Sequence, residues 1–188
     1  TTYSLAGLSY PLKLEVSPTD GMALSVRRSG DKGYTVLQKL SVDTMDAAGV
    51  SFADCLDDNV RLVLQCLCDV TIDNLKVSLI KDKSGEEDPV QDFWFENDFD
   101  DAVLSGLADE ELAEAVFGKG NYIFGHGSKD ASMKIENGAL RLIGDNNQTP
   151  EDGSKKNNRT QLLLAGHDDI SKDGVVIECD YTFNSGSQ

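Results

Sequence analysis

Apolar and polar residues alternate with a period of two along most of this chain. That is the signature of half-buried β-strands, whose successive side chains point to opposite faces. In LKLEV, Leu12, Leu14 and Val16 share one face while Lys13 and Glu15 take the other. The turn SPTDG leads on into MALSVRR, and the Gly- and Asp-rich SGDKG precedes YTVLQKLSV over 34–42. NVRLVLQCLCDV places Val60, Leu62, Leu64, Cys66 and Cys68 on one face. VVIECDYTF does the same with Val175, Ile177, Cys179, Tyr181 and Phe183, opposite Val176, Glu178, Asp180 and Thr182. SMKIENGALRLIG reads as a hairpin, because Asn137-Gly138 supplies the two positive φ angles that a type I′ turn requires.

One segment departs from this period. LADEELAEAVFGKG predicts a short helix, with Asp109 as its cap, acids in its first turn and Gly118 as its stop. Leu112, Ala115 and Val116 fall on one side of it. Two stretches read as loops, KDKSGEEDP over 81–89 and the polar run GDNNQTPEDGSKKNNR over 144–159. Many strands with one short helix predict an all-β fold, an antiparallel β-sandwich or barrel. No internal repeat relates the strands before and after residue 85, which argues against two copies of one small domain.

Composition narrows the partners. The chain has 188 residues, enough for one large all-β domain burying roughly 70% of its unfolded surface. Its net charge of −16 would repel nucleic-acid phosphates and an anionic membrane surface alike. No apolar run approaches the roughly 20 residues that cross a bilayer, so no membrane insertion is expected. Neither an initiator Met nor a signal peptide opens the chain, so a processed product or a fragment is expected. The acids cluster: residues 86–101 contain eight acids and no base, a density that solvent or a hard cation must relieve. Cys55, Cys66, Cys68 and Cys179 show neither zinc nor C-x-x-C spacing. Free, half-buried thiols are expected, with one disulfide as the alternative.

FENDFDD, IENGALRLIG and GVVIECDYTF together resemble the opening half of a concanavalin A-like or laminin G-like jelly-roll module. Such modules begin with an acidic aromatic strand, continue with a hairpin of the form i-x-n-G-a-L-r-L, and then carry a v-x-x-E-x-D strand. YPLKLEV, the MALSVRR hairpin and the closing VTIDNLKV resemble the second half, the I-D-N-[LV]-x-V strand being the most specific piece. The halves stand in inverted order. One closed jelly-roll domain over 1–188 is expected, built from 1–80 and 93–188 and joined through an acidic linker at 81–92, as a circular permutant would be. A monomer follows. The alternative is a piece of a tandem array whose halves close only between chains, giving half-domain-exchanged oligomers.

The resemblance implies a structural calcium bridging the first and last strands, with Asp73, Glu96 and Asp98 as oxygen ligands; the plainer alternative is a solvated acidic linker. Alternation sets Phe93 and Phe95 together and Trp94 opposite, beside Asp92 and Glu96. A ring flanked by acceptors suits a sugar face, although a core Trp is the commoner arrangement. Glu178, Asp180 and Thr182 would line a glycan groove if their face is concave. Tyr122, Phe124 and His126 are candidates for a neighbouring wall, or for core aromatics with a surface His. Glu178-Cys179-Asp180 also resembles the E-x-D-x-x-E strand of retaining glucan hydrolases on this fold, which need two carboxylates about 5–5.5 Å apart. Thr182 and Phe183 stand where the partner acid is required. GHGSKD lacks the G-x-S-x-G elbow, and His126 and His167 are the two histidines.

A non-enzymatic, calcium-containing carbohydrate-binding module of a secreted or surface-attached bacterial protein is therefore expected. Trp94, Glu178, Asp180 and Tyr122 would meet a polysaccharide. A structural or adhesive protein-interaction module is the alternative, and free thiols leave a cytoplasmic setting open.

Overall fold

The computed structural model describes residues 7–49, 61–66, 69–81, 90–119, 122–126, 132–144, 158–163 and 174–185. Its strands are β1 (Leu8–Ser17), β2 (Gly21–Val26), β3 (Thr35–Leu40), β4 (Arg61–Cys66), β5 (Asp69–Lys81), β6 (Val90–Asn97), β7 (Tyr122–His126), β8 (Ser132–Glu136), β9 (Ala139–Ile143), β10 (Asn158–Leu163) and β11 (Val175–Ser185). Eight of them form one sheet in the order β3-β2-β1-β11-β5-β9-β8, with β6 beside β9 on the same edge of β5, and β4-β10-β7 form a second sheet. Every pairing between these strands is antiparallel. The fold is all-β and sandwich-like.

The long β5 is the hub. Its first residues, Asp69–Ile72, pair with β9, and the stretch from Leu75 to Lys81 pairs with β6, while β11 runs along its other edge. Strands from both halves of the chain thus share one sheet. Asn74 takes φ 51° and adds one residue to β5 where Cys179 lies opposite, a bulge that switches β5 from one neighbour to the next. A second irregularity lies in β6: Val77 faces Phe95 and Ser78 faces Phe93, so the register passes over Trp94.

One face of the large sheet carries the core. Val16, Val70, Ile72, Leu75, Val77, Met133, Leu140, Leu142 and Val175 pack with residues from two helical segments. These are a 3₁₀ turn (Leu104–Gly106) and a helix between β6 and β7 over Asp109–Phe117. That helix buries Leu112, Ala113, Val116 and Phe117, a single stripe at helical spacing. Phe117 meets Phe95 of β6 with ring centroids 5.6 Å apart. Ile177, Cys179, Tyr181 and Phe183 join the core from β11, as their alternation predicts. Asn137 (φ 55°) and Gly138 (φ 74°) make the expected left-handed pair between β8 and β9.

The structure corrects several local expectations. The helix is present, but Ala115 is exposed and Ala113 takes its place in the core. Its N-cap residue is Ala108 rather than Asp109. The Asp109 carboxylate instead accepts the backbone N–H of Met133 at 2.8 Å, fastening the helix to β8. A further helix of six residues, α1 (Val42–Ala47), follows β3 and was not expected; the Ser41 hydroxyl caps it by accepting from the Thr44 N–H. The helix at Asp109–Phe117 is accordingly α2. β10 arises inside what reads as polar loop and its sequel. The linker expected at 81–92 is shorter at both ends, because Lys81 closes β5 and Val90–Asp92 open β6; residues 82–89 lie outside the described residues.

Candidate functional site

Alternation that sends one set of side chains into the core sends the other set outward. On this outward face the register lines up a polar row across five strands, with alternating charges on four of them. Ser25 of β2 faces Lys13 of β1, Lys13 faces Glu178 of β11, Glu178 faces Lys76 of β5, and Lys76 faces Glu96 of β6. Opposite charges on directly facing residues stabilise a sheet by about 0.2–1 kcal/mol per pair. Lys76 and Glu96 close to 2.5 Å. Lys13 also reaches Glu15 at 3.0 Å.

Tyr34, the residue before β3, folds back over this ladder. Lys13 Nζ lies 5.2 Å and Arg27 Cζ 5.4 Å from its ring centroid, within cation–π range. Burial and the negative charge of nearby Glu178 push its phenol pKa up. Next along β11, Asp180 faces Asp73 and accepts a hydrogen bond from Asn74 Nδ2 at 2.8 Å. The bulge that breaks β5 is thus also what aims the Asn74 amide at β11. Pro11, Arg27, Tyr34, Asn74, Lys76, Glu178, Cys179 and Asp180 surround an open depression of about 240 Å³.

Further along the same face lies a second open depression of about 380 Å³, lined by Thr71, Glu136, Asn137, Ala139, Arg141 and Asn184. Arg141 holds Asp69 in a two-pronged contact, Nε to Oδ1 at 2.9 Å and Nη2 to Oδ2 at 2.5 Å, and also donates to Glu136. Asn184 Nδ2 donates to Asp69 at 3.0 Å and to Thr71 at 2.7 Å. The Arg141 contact holds the Asp69 carboxyl below the ordinary carboxylate range. Between the depressions, Glu178, Asp180, Thr182 and Asn184 form one polar row down β11, spanning about 20 Å at strand rise.

Of the residues expected at a glycan site, Glu178 and Asp180 stand together here. Trp94 belongs to β6 and Tyr122 to β7, in the other sheet from Glu178; both side chains lie outside the described residues. Of the expected calcium ligands, Glu96 is drawn to Lys76. Asp73 Oδ1 accepts the Asn74 N–H at 2.7 Å, and burial followed by the charges of Asp180, Asp100 and Asp98 raises its pKa. Asp98 Oδ1 accepts the Asp100 N–H at 3.3 Å, in the tight turn after β6 that sends Phe99 into the core. Among the described residues, no group of three or more His, Cys, Asp or Glu side chains is placed to hold a metal ion. Cys179 is a free thiol on the core side of β11, its pKa pushed up to about 11 by burial and by neighbouring Asp180. Sequence reading missed Tyr34, Asn74, Lys76, Arg27 and Arg141. The one local signal was an aromatic residue placed directly after a Gly-rich turn.

Together these groups set hydrogen-bond donors and acceptors side by side on one open surface. Each sugar hydroxyl both donates and accepts, so it needs donors and acceptors side by side. The first depression offers donors in Arg27, Lys76, Asn74 and the Tyr34 hydroxyl, acceptors in Glu178 and Asp180, and apolar surface in Pro11. Neither a protein-family model nor a curated protein matches this chain.

Proposed function

We propose that this chain is a non-catalytic carbohydrate-binding module that takes a linear glycan along β11. The observation that carries this is the unbroken polar row Glu178, Asp180, Thr182 and Asn184, joining two open, polar depressions on the face opposite the core. An extended groove of mixed donors and acceptors suits a chain of sugar rings better than a compact substrate. Binding rather than turnover is favoured because both β11 carboxylates are already engaged, Glu178 between the facing lysines Lys13 and Lys76 and Asp180 by the Asn74 amide. The resemblance of the I-D-N strand and the N-G hairpin to jelly-roll lectin-like modules points the same way. A secreted or surface-attached bacterial setting accompanies that resemblance.

The test is a glycan array screened with added calcium and again with chelator, followed by calorimetry on any hit. Binding to a plant, host or microbial polysaccharide is expected. Glu178→Gln should weaken it by about tenfold to a hundredfold, since a hydrogen bond to a charged group contributes roughly 1.5–3 kcal/mol. Dependence on calcium would assign the ion to the acids around Asp73. No binding in either condition, or full affinity after Glu178→Gln, would overturn the proposal.

A further inference from the structure

The two ends of the eight-stranded sheet are finished differently. At one end β8 is covered: Ala108 bridges to Lys134, and the Asp109 carboxylate takes the Met133 N–H at 2.8 Å. At the other end, among the described residues, no strand lies beyond β3. All six residues from Thr35 to Leu40 are exposed, and Val36, Leu37 and Leu40 remain 55%, 53% and 37% accessible. They are three of the five large apolar side chains that stand exposed among the described residues. An edge strand is ordinarily blunted by charge, proline or a covering segment, because its unpaired N–H and C=O groups template a further strand. β3 has only Lys39 and a bulge at Leu37 for that purpose.

Charge says what fits there. Residues 27–39 carry Arg27, Arg28, Lys32 and Lys39 against the single acid Asp31, a local balance of +3 (4 − 1) in a chain of net −16. The Asp31 carboxylate is engaged within the turn, accepting the Arg28 N–H at 3.3 Å. Two copies meeting edge to edge would oppose basic rim to basic rim, and each would carry the same overall negative charge. A short acidic segment instead brings carboxylates to the basic rim, where the local charge is opposite.

We propose that the free edge of β3 is a strand-addition site for an extended segment of another protein in which apolar and acidic residues alternate. Its backbone continues the ladder. Its apolar side chains cover Val36, Leu37 and Leu40, and its carboxylates meet Lys39 and the basic turn before β3. This stands independently of glycan binding.

The test uses the intact chain and a labelled peptide alternating glutamate with valine, its lysine–valine counterpart serving as control. Fluorescence anisotropy should detect the acidic peptide and not the basic one. Raising salt from roughly 0.05 M to 0.5 M should weaken binding by about tenfold through screening. Amide hydrogen exchange should slow across Thr35–Leu40 on binding. Lys32→Glu with Lys39→Glu, two exposed changes, should weaken binding about tenfold while leaving the urea midpoint in place. The proposal fails if the acidic peptide does not bind, if the basic one binds as well, or if binding leaves β3 exchange untouched. It also fails if β3 is already protected in a protein that light scattering finds dimeric, for then a second copy holds the edge.

Discussion

Gly21 and Gly30 have nearly the same backbone, φ 88° and 90°, in very different surroundings. A Cβ added at Gly30 meets nothing within 4 Å, whereas one added at Gly21 falls 2.1 Å from the Leu40 carbonyl oxygen and 3.0 Å from Ser41 Cα. Those atoms are backbone, so no side-chain rotation relieves the contact. Gly30→Ala should therefore cost only the left-handed penalty of a side-chain-bearing residue, about 1–2 kcal/mol. Gly21→Ala adds an overlap that the end of β3 and the start of α1 must move to escape. Overpacking of that kind costs about 1–3 kcal/mol more, giving a total of roughly 2–5 kcal/mol. Both substitutions reduce unfolded-chain entropy equally, so that contribution cancels in the comparison. Urea unfolding of the two variants and the parent, fitted with a shared m-value, measures the difference. Equal losses, or a larger loss for Gly30→Ala, would refute the close approach of the β1–β2 turn to β3.

Asp73→Asn should raise stability at neutral pH by less than about 1 kcal/mol. Burial and nearby acids raise this carboxyl's folded pKa, so its charge is unfavourable above that value, and the variant's advantage should vanish as pH falls below the unfolded value near 4. Asp69→Asn should do the reverse. The Arg141 contact depresses the folded pKa of Asp69, so its contribution is complete above the unfolded value and disappears as acid protonates the folded carboxylate; urea midpoints from pH 7 down to pH 3 check both signs. Cys179, with its thiol pushed up to about 11, should be alkylated at pH 8 far more slowly in the folded chain than in urea. Peptide mapping by mass spectrometry reads this out, and equal rates would place the thiol in solvent.

Much of the sheet is legible from residue order. Alternation in β11 assigns Ile177 and Phe183 to the core and Glu178 and Asp180 to the outer face, because the period of two survives wherever one face is buried. Asn137-Gly138 is readable because few other pairs tolerate two positive φ angles. What escaped has physical causes. α1 buries no residue fully, and Val42 and Met45 alone lean on the core, too short a stripe to read; its clearest signal is the Ser41 cap. β10 owes its strand conformation to pairing with β4 and β7 on either side, partners far away in sequence. Asn74 lies in a strand whose pattern is otherwise regular, and its bulge appears only where β5 is laid against β11. The outer site was half visible for the same reason. Glu178 and Asp180 come from one strand, but Tyr34 and Lys76 reach them, and Arg141 reaches Asp69, only through register between strands that residue order does not specify.

β11 has a consequence for how the molecule comes into being. It follows every other described strand in synthesis, yet it lies between β1 and β5, inside the sheet rather than at its rim. Until it emerges from the ribosome, the β1–β2–β3 ribbon and the β5-centred strands have no seam along which to join. The nascent chain must carry two unfinished sheet fragments with open edges through most of its translation. Pairings that span so much sequence fold slowly, and unpaired edges waiting that long invite association with other chains. Truncation just before β11 should therefore leave two disconnected fragments and an aggregating product, rather than a sheet shortened by one strand.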